Sequence, residues 1–247
     1  MQSDIPNVDS GSLPAVTRDQ MREVDRLMIE EYRIQLMQMM ENAGLQLARL
    51  TREYLDGLID GQRVLVLAGR GNNGGGGLAA GRRLAAWGAD VSVLLATDLD
   101  AVEGVPLQQL EILQRMDVPV RQVAETLPEH DVLIDALIGY GLQGSPQAPV
   151  SRMIDAANDS TAPIVSLDVP SGVDVDTGEA PGRAIRASAT LTLALPKAGL
   201  VRSETQRFVG ELYLADISVP AALYERLGLG SPQPFAAGQL VRVTGLL

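Results

Sequence analysis

Short aliphatic runs alternate with stretches of helical periodicity from residue 62 onward, and this alternation limits the fold more than any other feature. It predicts an α/β fold with a mostly parallel sheet between two layers of helices, because parallel neighbours need a crossover helix. Two late aliphatic runs lack long helices between them, so their direction in the sheet stays open. The predicted strands are 63–68, 90–96, 118–123, 131–137, 162–169, 189–195 and 211–217, and the predicted helices are 78–87, 105–116 and 150–157.

The composition suits a core of aliphatic side chains. Aromatic residues make up only 3% of the chain and hydrophobic residues 46%, as in aliphatic strands covered by Ala-rich helices. Ahead of the sheet, a capping box at 17–20 and an apolar stripe predict one helix, and a second stripe predicts another over 35–58. Residues 1–14 are expected to form a flexible arm, and residues 15–247 a single domain with a helical N-terminal extension.

Charge and residue usage exclude several classes of function. A formal net charge of −11 argues against nucleic acid and anionic membranes as partners, since clustered positive charge holds both. The chain has no cysteine, which excludes disulfides, thiolate nucleophiles and cysteine-based zinc sites. We expect neither a secretory leader nor a membrane span, because the first residues are polar and no apolar run is long enough. A cytoplasmic location is therefore expected.

A glycine-rich segment follows the first predicted strand. Six glycines fall within residues 69–77, and Gly69, Gly71 and Gly74 satisfy the G-x-G-x-x-G spacing between a strand and a helix. In that context glycine lets the backbone approach a pyrophosphate, and the amides at the next helix N-terminus hold the anion. The segment predicts a dinucleotide site, with a purely structural tight turn as the alternative.

Charged residues stand at the ends of three later strands. Asp135 lies in an apolar stretch, where a carboxylate is costly unless it is hydrogen-bonded or bound to a cation. Asp168 ends the next strand, so the two carboxylates could lie close together and share a metal ion or split their pKa values. A loop-capping role is the alternative for Asp135, and an Asx-turn for Asp168. Lys197 follows a further strand, where it is either a solvated surface residue or a partner of these carboxylates.

Several motifs in chain order resemble the NAD(P)HX epimerase family, also known as the YjeF N-terminal domain. They are Met40-Glu-Asn-Ala-Gly44, Gly71-Asn-Asn-Gly-Gly75, Asp135-Ala-Leu-Ile-Gly139, Asp168-Val-Pro-Ser-Gly172, Pro196-Lys197 and Ala215-Asp-Ile217. The resemblance implies a Rossmann-like three-layer αβα sandwich and a homodimer. It also implies epimerisation between the R and S forms of NADHX and NADPHX, the hydrated forms of NADH and NADPH, with a separate NAD(P)HX dehydratase acting downstream.

The resemblance also implies the residues of the site. A potassium ion would be held by Asn73, Asp135 and Ser171. Substrate contacts would come from Asn72, Asn73, Gly74, Gly75, Gly76, Gly139, Tyr140, Gly141, Leu142, Gln143, Gly144, Ser145 and Asp168.

The reaction needs a proton donor and a proton acceptor. The hydroxylated carbon of the substrate is a hemiaminal, so inversion requires either loss and return of the hydroxyl or opening and closing of the ring. Asp168 is the first candidate for general acid/base catalysis. Lys197 is the second, as a proton carrier or as the electrostatic partner of Asp168.

Gly76 stands where the family has an aspartate, and this departure raises an alternative. The chain could be a catalytically impaired ligand-binding or scaffold protein on the same fold. An ordinary dinucleotide oxidoreductase is a third reading. Such an enzyme has an acidic residue near the end of the second strand, and Asp98 and Asp100 lie there in this chain.

Overall fold

The structure is a computed structural model that describes residues 5–122 and 126–246. None of the helices in these ranges combines the length and apolar character that a membrane crossing needs. The strands are β1 (Asn7–Asp9), β2 (Arg63–Ala68), β3 (Asp90–Leu95), β4 (Val120–Gln122), β5 (Val132–Ala136), β6 (Ile164–Leu167), β7 (Ala189–Leu193), β8 (Glu211–Ala215) and β9 (Leu240–Thr244). The helices are α1 (Arg18–Glu30), α2 (Leu36–Glu53), α3 (Asn72–Ala86), α4 (Gly104–Arg115), α5 (Val150–Asn158), α6 (Gln206–Val209) and α7 (Ala221–Arg226).

The described strands form one sheet in the order β1-β9-β8-β7-β6-β5-β2-β3-β4, and this confirms the predicted mostly parallel α/β fold. Among the strands that the structure describes, only the β8–β9 pair is antiparallel. One face of the sheet packs against α2, α3 and α4, and the other packs against α5. The two late strands β7 and β8, whose direction the sequence left open, pair in parallel.

The chain reverses its direction of travel across the sheet beside β2. It moves from β2 to β3 on one side, and later returns to place β5 on the other side of β2. Such a switch point leaves a crevice outside the carboxyl ends of the two central strands, where ligands bind in open α/β sheets. A ligand is therefore expected at the loops after β2 and β5.

The glycine run is helical from Asn72 onward, so the predicted helix start at residue 78 is wrong. Helix α3 begins at Asn72, and its glycines lie against neighbouring backbone and side chains. A Cβ on Gly74 would come within 1.8 Å of the Gly69 carbonyl oxygen, and one on Gly77 within 2.4 Å of the Ala136 Cβ. Glycine is used here because α3 lies too close to β5 and to its own preceding loop for a side chain.

The N-terminal segment is also more ordered than expected. Residues 7–9 form β1, which pairs in parallel with β9 at the sheet edge, so the expectation of a flexible arm is wrong for this stretch. Strand β9 itself lies in a C-terminal region where the sequence predicted no element. The first four residues of the expected arm, and residue 123 of the predicted third strand, lie outside the described residues.

The close approach of α3 to β5 predicts a specific sensitivity. Gly77→Ala should lower the free energy of unfolding by about 1–3 kcal/mol, because the added methyl must displace Ala136 or the helix. Gly81→Ala on the same helix is the matched control. Its nearest neighbour is the Val66 Cγ2 at 3.2 Å, so a smaller shift accommodates the methyl, and a gain in helix propensity of about 1 kcal/mol offsets the cost. Denaturation in guanidinium chloride measures both, and equal stability of the two variants would contradict the packing account.

Candidate active site

A cavity of about 980 Å³ lies at the carboxyl ends of β2, β5 and β6. The loops after these strands form its floor, and side chains of α1 and α2 form the facing wall. Cavities of this size at a switch point hold cofactor-sized ligands.

Asp168 follows β6 directly and takes an unusual backbone conformation. Its φ is +65°, in the left-handed region that aspartate tolerates better than most residues. Its amide donates to the Leu191 carbonyl of β7 at 2.7 Å, so the sheet itself holds the residue in this conformation. The side chain lines the cavity and is almost fully buried. Left-handed backbone that persists at a pocket is a feature of functional sites.

Lys197 is fully buried and paired with Asp168, so the alternative of a solvated surface lysine is wrong. Its Nζ lies 2.7 Å from the Asp168 Oδ1 and donates to the Leu193 carbonyl at 2.8 Å. The backbone around it is clamped by Val16, which bonds to the residues on both sides of Lys197 at 2.8 and 3.0 Å. The segment before α1 therefore fixes the position of the ammonium group.

The second carboxylate oxygen of Asp168 is also held. The Tyr140 amide donates to the Asp168 Oδ2 at 2.9 Å. A Cβ on the adjacent Gly139 would lie 2.9 Å from the same oxygen and 3.1 Å from the Asn73 Oδ1. The loop after β5, the start of α3 and the end of β6 thus meet around one carboxylate.

Asp135 is completely buried one strand away and has its own set of donors. It accepts from the Ser166 hydroxyl at 2.8 Å, and from the Ser171 amide and hydroxyl at 2.9 and 2.6 Å. Burial raises the pKa of Asp135, and these hydrogen bonds oppose that shift. The hydrogen bonds and ion pairs of the described residues give Asp135 and Asp168 no common partner, so the expectation that the two carboxylates act as a pair has no support in the geometry.

Asn73 stands at the first turn of α3, between the loop after β5 and the end of β6. One terminal atom of its amide lies 3.3 Å from the Leu167 carbonyl oxygen, and the other lies 3.3 Å from the Gly139 amide nitrogen. Ser171 flanks the same loop from the other side, because its hydroxyl accepts from the Ile138 amide at 2.9 Å. No hydrogen bond within the described ranges joins Asn73 directly to Asp135 or Ser171.

Most of the residues that the resemblance assigned to substrate binding line the cavity, and three do not. Those on the cavity wall are Asn72, Asn73, Gly76, Gly139, Tyr140, Gly141, Leu142, Gln143, Ser145 and Asp168. Gly74 and Gly75 lie inside the packing of α3, and Gly144 is a left-handed residue outside the wall. Lys197 and Asp135 sit behind the wall, and Lys197 acts on the cavity through Asp168.

Close packing against Leu167 explains why glycine fits at position 76. A Cβ there would lie 2.6 Å from the Leu167 Cδ2, so any larger side chain must push the end of that leucine aside. Asp98 and Asp100, the acidic residues of the oxidoreductase reading, are exposed on the turn after β3 and do not line the cavity.

Sequence reasoning misses the contribution of α1. Asp25 and Arg22 line the cavity from this helix, beside the apolar stripe of Met21, Val24 and Leu27 that packs inward. A carboxylate next to an apolar stripe is only a weak sequence signal of a functional site. Tertiary packing decides which strand ends the helix covers.

Residues 36–199 match the family described as YjeF-related protein N-terminus. The chain belongs to this family. Over 235 residues it is 46% identical to the NAD(P)H-hydrate epimerase of Dehalogenimonas lykanthroporepellens, covering 94% of both chains. It is 33% identical to the NAD(P)H-hydrate epimerase of Rhodopirellula baltica, covering 88% of this chain and 89% of that one.

Two further relatives extend the comparison. The chain is 35% identical to the bifunctional NAD(P)H-hydrate repair enzyme Nnr of Moorella thermoacetica over 84% of its own length, but it spans only 41% of that protein. The crystal structure of the yeast protein ynu0 (YNL200c) superposes with a TM-score of 0.78 at 26% identity, covering 93% of this chain and all of the yeast chain.

The buried ion pair predicts a coupled effect on stability. Lys197→Met should lower the free energy of unfolding by about 3–5 kcal/mol, because it leaves the Asp168 charge buried without its partner. Combining it with Asp168→Asn should recover much of that loss, which a double-mutant cycle measures. Arg183→Met breaks an exposed pair with Asp155 and should have a much smaller effect. The coupling would be contradicted if the double variant lost the sum of the free energies of unfolding that the two single variants lose.

Proposed function

We propose that this chain interconverts the R and S forms of the hydrated cofactors NADHX and NADPHX. The observation that carries the proposal is the 46% identity to an NAD(P)H-hydrate epimerase of matching length, over 94% of both chains. The chain is an isomerase of the same kind, acting in the repair of nicotinamide cofactors. The reading as a scaffold with lost catalysis is not favoured, because relatives that match most of this chain carry the epimerase name.

Asp168 is the group that exchanges protons with the substrate. Both of its oxygens are fixed by the chain, one by Lys197 and the other by the Tyr140 amide. A carboxylate held in this way does not need to reorganise when charge develops beside it. Lys197 stabilises negative charge on Asp168 and cannot reach solvent itself, so its role is that of an electrostatic partner.

The start of α3 is the part of the site best suited to the pyrophosphate of the substrate. Gly71 precedes the helix without a side-chain cap, and Asn72 and Asn73 of its first turn line the cavity. Unpaired amides and the helix dipole favour an anion there. Arg70 also lines the cavity, and such local positive charge matters in a chain with a net charge of −11. The loop from Gly139 to Ser145 would hold the rest of the substrate.

Potassium fits the donor set formed by Asn73, Asp135 and Ser171. Asp135 is a buried carboxylate with hydroxyl and amide donors, and no lysine or arginine of the described ranges pairs with it. Asn73 would add its amide oxygen, which accepts from the Gly139 amide at 3.3 Å when the amide nitrogen donates to the Leu167 carbonyl. Oxygen-only ligation suits a hard cation. Bound potassium would supply positive charge next to a carboxylate that lacks it.

Potassium should stabilise the folded chain. Binding to the native state alone adds about 2.7 kcal/mol at 100 times the dissociation constant, and each kcal/mol raises the unfolding midpoint by about 2–4 °C in a chain of this size. KCl should therefore raise the midpoint more than LiCl at equal ionic strength. In Asn73→Ala the two salts should raise the midpoint equally. Asp90→Asn, at the end of β3 away from the cavity, should keep the larger effect of KCl. Equal effects of the two salts on the wild type would exclude the site.

Three broader expectations belong to the same proposal. A homodimer is implied by the family resemblance. A dehydratase that consumes the S form is the natural downstream partner, and the existence of bifunctional repair enzymes among the relatives supports this. A cytoplasmic location agrees with the absence of cysteine.

The epimerase activity is tested with R-NADHX and an S-specific dehydratase as reporter. The wild type should supply substrate to the dehydratase, with glycine at position 76 as it stands. Asp168→Asn should lower kcat about 10²–10⁴-fold, the range for loss of a general acid/base. Asp90→Asn, an exposed carboxylate away from the cavity, is the control. An inactive wild type beside an active Gly76→Asp would instead support the scaffold reading, and a fully active Asp168→Asn would remove Asp168 from the mechanism.

A further inference from the structure

A second carboxylate faces the cavity from a different wall. Asp25 lies on α1 and is partly buried among the cavity-lining residues. Its Oδ2 accepts a hydrogen bond from the Tyr140 hydroxyl at 2.5 Å. Tyr140 also lines the cavity, so both members of this pair can reach a bound ligand.

Tyr140 connects the two carboxylates of the cavity. Its backbone amide donates to Asp168, and its side-chain hydroxyl donates to Asp25. Arg18 holds the residue in place, because its Nε donates to the Tyr140 carbonyl at 3.0 Å. The loop after β5 therefore positions two acidic groups that come from separate elements, α1 and the end of β6.

The surroundings of Asp25 favour a protonated carboxyl group. Burial raises the pKa of Asp25 and the charge of Asp168 raises it further, against the opposing effects of the Tyr140 hydroxyl and Lys197. Burial also raises the pKa of Tyr140, as do the charges of Asp25 and Asp168, and the charge of Arg22 opposes that shift. The pair thus holds an exchangeable proton next to Asp168, which is paired with Lys197.

The hydrogen bond between Asp25 and Tyr140 is not needed to attach α1 to the rest of the fold. Arg18 forms an ion pair with Asp174 at 2.6 Å, and its amide donates to Asp176 at 2.7 Å. The apolar stripe of the helix packs into its own core cluster. A carboxylate buried beside a tyrosine is costly for folding, and its position on the cavity wall gives it a use in the reaction.

We propose that Asp25, oriented by Tyr140, is the second proton-transfer group of the epimerisation, complementary to Asp168. This inference rests on the proposed function. In one direction the Asp25 carboxyl protonates the substrate hydroxyl, the carbon–oxygen bond breaks, and the ring nitrogen lone pair forms a carbon–nitrogen double bond as water leaves. Water then adds to the opposite face, the double-bond electrons return to nitrogen, and the added water gives its proton to the Asp168 carboxylate. The reverse direction exchanges the two roles, and solvent at the cavity mouth resets the protons.

The test compares Asp25→Asn and Tyr140→Phe with the control Glu23→Gln, which changes a partly exposed carboxylate that pairs with Arg26 on the same helix. Asp25→Asn should lower kcat by about 100-fold or more, while KM stays within about threefold, because the lost group acts in the transition state. Tyr140→Phe keeps the carboxylate but not its orientation, and should lower kcat about 10-fold. Glu23→Gln should match the wild type. Thermal unfolding of each variant identifies any loss of fold.

Oxygen exchange tests whether the reaction follows the proposed route of water loss and water addition. In water labelled with oxygen-18, the wild type should label the substrate hydroxyl as fast as it epimerises, and Asp25→Asn should slow both processes together. Epimerisation without labelling would overturn the proposed route. Asp25→Asn and Tyr140→Phe with wild-type kcat, or an effect on KM alone, would overturn the role of Asp25 and leave the function intact. A wild type without epimerase activity would refute the function itself.

Discussion

The buried ion pair of Lys197 and Asp168 organises the end of the molecule that carries the cavity. Two charges removed from water need each other and further hydrogen bonds to be tolerated. The chain meets that need with groups from distant segments: the Val16 backbone clamps Lys197, the Leu193 carbonyl accepts from its ammonium, and the Tyr140 amide holds the carboxylate. The segment before α1 is therefore tied to the site, although it lies far from it in sequence.

The close packing of α3 on the sheet is the second condition for the site. Glycines at 74 and 77 let the helix approach the loop after β2 and strand β5, and this approach brings Asn72 and Asn73 to the carboxyl ends of the strands. The glycines thus serve the ligand by placing the helix N-terminus, and most of them do not face the ligand themselves. The same packing sets the short distances between Asn73, Gly139 and the end of β6.

The parallel sheet could be predicted from the sequence because aliphatic strands and crossover helices each have their own periodicity. Asp135 and Asp168 could be singled out because a carboxylate at the end of an apolar strand is unusual. The helical state of the glycine run could not, since intrinsic propensity opposes it and only tertiary packing favours it. The burial of Lys197 and the arrival of Asp25 at the cavity depend on how α1 and its preceding segment fold back over the sheet. No local pattern encodes that placement.

A crystal structure of the chain with bound NADPHX would test the central claim most directly. The account predicts that the hydroxyl on the reduced ring lies within hydrogen-bond distance of an Asp168 carboxylate oxygen, with the pyrophosphate at the amides that open α3. A ring bound elsewhere in the cavity, with Asp168 contacting only Lys197 and Tyr140, would contradict the assignment of Asp168 as the proton-exchanging group.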